Sequence, residues 1–306
     1  MKYNILSVGN ISMKTSYNVP AFKSKGISYA DEFRIEPYGN ALVSSLIVSR
    51  LGGEGVICSK LGNDLYGNRL KQFCLDEGVN TRFLNVSKTV PTSSVTDFED
   101  GEYQIVYNGA SGTITDDEIE DALVSYPDIV IADMSADVDV CRKVFEFSKK
   151  YNVKTIASFD GLKHIDEYEY ISGCEAIIVD YESAYTLTGV EPKSPDMCVK
   201  ACLKISYNFS PKYVILRLGE RGSLSYDGKH CEFHPGIECS ENCGTLSELA
   251  FIAAFSLDYA KNNNAGHACM AGNIVSAITE LKAKSVFELP NAEEVNTFVA
   301  EHGLKI

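Results

Sequence analysis

The feature that most constrains this chain is its alternation of strand and helix patterns. Tyr3 to Val8 reads as a buried strand. Asn40 to Leu51 places apolar residues at 42, 43, 46, 47 and 51, a helical period, and Gly52-Gly53 stops it. Val56 to Ser59 reads as a short strand and Tyr66 to Leu75 as a helix. Thr115-Asp-Asp-Glu118 is a capping box that opens a helix running through Val124. Strand 129–132, helix 140–151, strands 154–159 and 176–179, and helix 198–205 follow. Strand 213–217 leads into a tight Gly219-Glu-Arg-Gly222 and a hairpin across Tyr226-Asp227-Gly228-Lys229. Helices are expected over 246–261, 265–281 and 292–301. This order predicts a three-layer, doubly wound α/β fold with a mostly parallel sheet between helical layers.

Two stretches break the rhythm. In Ser28 to Glu36, Phe33 and Ile35 alternate with charge. Ser94–Phe98 and Tyr103–Tyr107 flank Glu-Asp-Gly-Glu, with Asp100-Gly101 at the turn. They read as a small antiparallel sheet, either a lid over a pocket or a surface for a homodimer. With 306 residues, no internal repeat and no long linker, the chain reads as one domain, 1–306. Its lid comes from about 12–37 and 90–109.

Composition narrows function. Lys plus Arg is 28 and Asp plus Glu is 42, a net charge of −14. That argues against nucleic acid or an anionic membrane as partner, because both need positive surface. No run of ~18 apolar residues and no signal-peptide pattern is present, so a cytoplasmic location is expected. The ten cysteines then read as small buried hydrophobes rather than disulfides. The pairs Cys198/Cys202 and Cys239/Cys243 lack further ligands at zinc spacing.

Several motifs in series resemble the PfkB carbohydrate kinases, which have a ribokinase-like fold. Tyr38-Gly39-Asn40-Ala41-Leu42 is similar to the family's G-G-N-A-x-N. Gly62-Asn63-Asp64-Leu65-Tyr66-Gly67 is similar to G-x-D-x-x-G. Leu218-Gly219-Glu220-Arg221-Gly222 followed by Tyr226-Asp227-Gly228 resembles the nucleotide-side hairpin. Pro290-Asn-Ala-Glu293-Glu294-Val295 resembles the lead into the last helix. The short lid and Tyr107-Asn108-Gly109-Ala110 look most like the fructosamine (fructoselysine) kinase subgroup. The resemblance implies phosphorylation of a sugar hydroxyl, with ATP and magnesium as cofactors. It implies a sugar site around Asn10, Lys14, Gly39, Asn40 and Asp160, and a nucleotide site around Arg217, Gly219, Gly222, Gly244 and Asn273.

The same alignment exposes departures. The family's D-T-x-G-A-G-D-A-F matches Cys243-Gly-Thr-Leu-Ser-Glu-Leu-Ala-Phe251, so the basic aspartate falls on Leu249 and two glycines on Leu246 and Glu248. Leucine accepts no proton, and side chains fill space where backbone must approach phosphate. Thr245-Leu-Ser-Glu248 also reads as a capping box, with Glu248 folded back on Thr245. The rival reading shifts register and makes Glu248 the general base. The family's substrate aspartate aligns with Lys14. The magnesium-linked N-x-x-E aligns with Asp180-Tyr-Glu-Ser183, leaving Asp180 to hold the metal through water. Arg217, where threonine is usual, either reaches a phosphate or, the preferred reading, pairs with Glu220 or Asp227 at the surface. Gly39, Asp160 and Asn273 each have a plain structural alternative: starting a helix, capping 161–164, and facing solvent. The expectation is a carbohydrate-kinase homologue with impaired or absent transfer. The alternatives are a pseudokinase that binds a sugar-like ligand or a protein partner, an active kinase using Glu248, and a structural subunit.

Overall fold

Strand β1 (Asn4–Val8) carries four buried residues in its five and lies inside the main sheet. The structure, a computed structural model, describes residues 2–20, 25–98, 103–134, 136–159, 169–238 and 244–304. The chain continues through β2 (Ser12–Asn18), β3 (Glu32–Tyr38), α1 (Asn40–Arg50), β4 (Glu54–Gly62), α2 (Leu65–Asp76) and β5 (Asn80–Ser87). Then come β6 (Ser93–Phe98), β7 (Tyr103–Tyr107), α3 (Asp116–Val124), β8 (Ile129–Asp133), α4 (Val138–Tyr151), β9 (Lys154–Ser158), β10 (Ala176–Val179) and α5 (Tyr181–Thr188). The last third holds α6 (Pro195–Phe209), β11 (Tyr213–Arg217), β12 (Gly222–Tyr226), β13 (Cys231–Pro235), α7 (Thr245–Asn262), α8 (Ala265–Lys282) and α9 (Ala292–Glu301).

Among the described residues the large sheet runs β13-β12-β11-β10-β9-β8-β1-β4-β5. It is parallel except where β12 joins β11 and β13. Buried aliphatic residues of both parities along β1 fit a sheet covered on both sides: Ile5 joins one core with α1, α7 and α8, and Leu6 another with α3, α4 and α6. From β1 the chain extends one way to β4 and β5. It then crosses back to β8 and extends the other way. The β1/β8 boundary is therefore the switch point of the fold, where open α/β sheets place their ligands.

The lid is a second sheet in the order β3-β2-β6-β7. The expected pairing of Ser94–Phe98 with Tyr103–Tyr107 is present, with Phe98 opposite Tyr103. Asp100 and Gly101 lie outside the described residues. Asp64 anchors the lid's root. It caps α2 through the Gly67 N–H at 2.8 Å and takes the Thr92 N–H at 2.7 Å just before β6. Burial raises its pKa, and these N–H donors, with the Thr92 hydroxyl, outweigh burial and hold the carboxyl below its usual range.

Seven of the eight described cysteines are buried, as expected. Burial pushes the Cys58 and Cys74 thiols up to about 12. Among the described residues no cluster of three or more His, Cys, Asp or Glu is placed to hold a metal, and no helix is long and apolar enough to cross a membrane.

Candidate functional site

The residue after β1 is Gly9, and Asn10 follows it over the C-terminal end of the sheet. Gly39, the residue before α1, lies against Asn10 with a φ of 116°. A Cβ there would stand 2.4 Å from the Asn10 carbonyl oxygen. Gly39 does begin a helix, but it is also the only residue type that lets this loop close on Asn10. Asn40 is the first residue of α1.

These residues line a recess of about 280 Å³ together with Asn108, Ser111, Asp133 and Gln104. Its polar groups are ordered. The Ser93 hydroxyl donates to the Asn108 carbonyl, and the Ser111 hydroxyl donates to Asn10 Oδ1 at 2.6 Å. With its oxygen engaged, Asn10 has its amide N–H donors left for acceptors such as hydroxyl oxygens.

A larger chamber of about 750 Å³ opens beside it, sharing Tyr38, Gln104 and Thr245 as lining residues. Lys14 lies on its β2 wall. Its ammonium is 2.7 Å from Asp97 on β6 and 5.2 Å from the centre of the Tyr38 ring. The Asp97 side chain is only 4% exposed. Lys14 therefore faces the expected site, but paired. Asp97, Glu36, Tyr38 and Gln104 were not foreseen. Alternation along β6 does put Ser93, Val95 and Asp97 on one buried face, the signal that could have marked Asp97.

The nucleotide side differs from expectation. Helix α7 begins at Thr245 with Gly244 as its cap, and no side chain caps it. The expected Thr245–Glu248 capping box is absent. Ser247 donates its hydroxyl to the Gly244 carbonyl at 2.7 Å, and Glu248 leans the other way, 4.0 Å from the Arg217 guanidinium. Arg217 is not a surface residue. It is 5% exposed at the end of β11, and its guanidinium stacks 5.4 Å from the centre of the Phe251 ring. Two charges 4 Å apart attract by about 4 kcal/mol at an effective dielectric of 20, before desolvation is counted. The expected partner Asp227 instead holds the turn before β13. The His230 and Lys229 N–H groups keep its carboxyl down at about 2.

Asn273 is buried rather than solvent-facing. Its amide donates to the His234 and Pro235 carbonyls, both at 3.1 Å, and staples α8 to β13. Gly222 meets the same strand. A Cβ there would lie 2.1 Å from the His234 carbonyl oxygen. Leu249 packs into the core at 6% exposure. Asp180 caps α5 by accepting the Ser183 N–H at 2.6 Å, and the buried Ser183 hydroxyl donates to the Phe159 carbonyl. Asp160 lies outside the described residues.

The recess between Arg217, Gly219, Gly222, Phe251 and Asn273 holds about 20 Å³. That is room for one water, whereas ligand clefts run to ~300–1,000 Å³. Glu220 and Glu280 also line it, and the Gly244 N–H already meets Glu280 at 3.2 Å. These residues do not fit a magnesium triphosphate. Among the described residues this recess is too small for a nucleotide base, two carboxylates line it, and Asp180 is committed to its helix, although a cleft of about 710 Å³ adjoins it at Glu220 and Gly236.

The site thus combines a mostly parallel sheet, a small second sheet that is antiparallel at β3/β2 and β6/β7 but parallel at β2/β6, and a recess at the switch point. The sequence pattern of the pfkB family of carbohydrate kinases matches residues 2–292, and the chain belongs to that family. It is 21% identical over 309 residues to a ribokinase of Haemophilus influenzae, covering 99% of this chain and 100% of that one. The ribokinase of Arabidopsis thaliana solved with ribose and ATP superposes with a TM-score of 0.86 at 16% identity, covering 98% of this chain and 99% of that one. The ribokinase of Thermotoga maritima gives 0.81 at 20% identity, covering 97% and 99%. The fold is thus ribokinase-like.

Proposed function

We propose that this chain binds a sugar-type ligand beneath its lid and does not transfer phosphate. One observation carries the reading. Among the described residues the recess expected to take ATP is narrowed by its own side chains, with Arg217 set between Phe251 and Glu248. The position aligned with the family's base is the buried Leu249. A missing base costs ~10²–10⁴ in rate and a missing anion-hole donor ~10²–10³, so both together leave little turnover. The recess that lines up with the expected sugar site stays open, with Asn10 held ready by Ser111. The ligand class follows from that lining and from the family. The fructosamine subgroup remains a finer expectation, resting on the lid and Tyr107–Ala110.

The test pairs catalysis with binding. Purified protein is assayed for ADP release with ATP, magnesium and a panel of pentoses, hexoses, alditols and amino sugars. Melting is followed with each component. The expected outcome is no turnover above background, no rise in melting temperature with ATP and magnesium, and a rise with at least one sugar-type compound. Leu249→Asp alone is expected to restore nothing, because the cleft stays filled. Turnover abolished by Glu248→Gln would instead establish the second reading, an active kinase with Glu248 as base. The absence of a capping box favours that reading to the extent that Glu248 is not folded back on Thr245. The outer face of the lid, with Tyr17, Phe33, Phe98 and Tyr103 in one row across four strands, supports pairing with a second copy of the chain.

A further inference from the structure

The large sheet ends at β13, and a second cleft forms there. Across β12 and β13, Leu224 stands opposite Phe233 and Gly222 opposite Pro235. Facing residues of an antiparallel pair share one side of the sheet. Leu224 lies in one core with Cys198 and Cys202 of α6, so this is the side that α6 covers. The cover is partial, because Phe233 stays 56% exposed. A cleft of about 710 Å³ is left, with Pro195, Leu218, Leu224, Phe233 and Pro235 as its apolar lining. That volume falls within the ~300–1,000 Å³ of small-molecule clefts. The cleft shares no lining residue with the sugar recess or the chamber beside it.

Its charged lining residues are Glu220, Arg221 and Glu238, all exposed. Among the described residues none of the three is held in an ion pair. Burial raises the Cys198 thiol and the Arg221 charge pulls it back, which sets that guanidinium toward the α6 wall of the cleft. Both signs of charge thus stand unanswered around one apolar surface. A carboxylate alone leaves the two glutamates idle, and an amine alone leaves the guanidinium idle. We propose that this cleft binds a free α-amino acid with a large apolar side chain. Its carboxylate lies on Arg221, its ammonium toward Glu220 and Glu238, and its side chain on Leu224, Phe233 and the two prolines. The Phe233 ring favours an aromatic side chain through ring packing. A planar guanidinium suits a carboxylate through paired N–H donors. The proposal goes beyond the sugar reading and does not depend on it.

Calorimetry on the intact protein tests it with trimmed ligands. Tryptophan is compared with tryptamine, which lacks the carboxylate, and with indole-3-propionate, which lacks the ammonium. Phenylalanine is compared with phenethylamine and 3-phenylpropionate, and adenosine serves as a flat uncharged control. At least one amino acid is expected to bind about tenfold or more tightly than both its analogues and adenosine. Arg221→Gln is expected to cut the advantage over the amine to under about threefold. Glu220→Gln with Glu238→Gln is expected to do the same for the advantage over the acid. All three side chains are exposed, so these variants keep the fold, and an unchanged melting temperature verifies it. Analogues binding as tightly as the amino acids, adenosine binding more tightly, or preferences that survive the charge substitutions would each overturn the assignment. So would no binding by any compound.

Discussion

At the residue scale, Lys14, which the sequence reading aligns with the family's substrate acid, is held by the carboxylate of Asp97 on the neighbouring strand. Removing one partner of such a buried pair leaves the other charge unanswered, a loss of roughly 3–5 kcal/mol, whereas replacing both is often tolerated. Lys14→Met is therefore expected to lower the urea midpoint sharply, and Lys14→Met with Asp97→Leu to recover most of it. Glu36 gives a pH prediction of opposite character. Its folded pKa lies above the unfolded value, mainly through burial, so its ionisation opposes folding. Its favourable contribution is full below the unfolded value and lost as pH rises through the folded one. Glu36→Gln should then be more stable than the parent at neutral pH, with the advantage fading as pH falls toward about 4.5 in parallel urea titrations.

At the scale of single elements, the lid is the piece most open to test. One of its rows is Phe33, Tyr17, Phe98, Tyr103 and the next Ile35, Thr15, Thr96, Ile105, with no charge in either, and Ile35 packs against the main core. Tyr103 and Ile105 are more than half exposed. If this face pairs with a second copy as proposed, Ile105→Asp is expected to shift sedimentation from dimer to monomer without changing the melting of the main sheet. Elements with strong periodicity or a true cap were legible in the sequence. Thr115 and Glu118 form their capping box in the fold, and α3 ends at Val124 as read. Strand β5 and helix α5 were missed. β5 is a half-exposed edge strand with polar residues on both sides, and α5 has eight mostly polar residues. Strand β2 lacked the apolar alternation because one of its faces serves the chamber. The expected cap at Thr245 failed because Gly244 already takes that place and Arg217 offers Glu248 a better partner.

At the scale of the whole molecule, alternating strands and helices were enough to give the layers, because each element must bury its own apolar face. The site was only partly legible. Asn10 and Ser111 stand 101 positions apart and meet only when β1 and the lid converge. No local pattern announces such a meeting. Likewise the packing of Arg217 on Phe251 joins the end of β11 to α7, two elements that sequence reading treats separately. That contact bears on how the lineage can change. Loss of Glu248 alone leaves a buried guanidinium without that carboxylate, and loss of Arg217 alone opens a void under Phe251. Each residue thus constrains the other, and on the reading proposed above a change at either position alone does not open this recess.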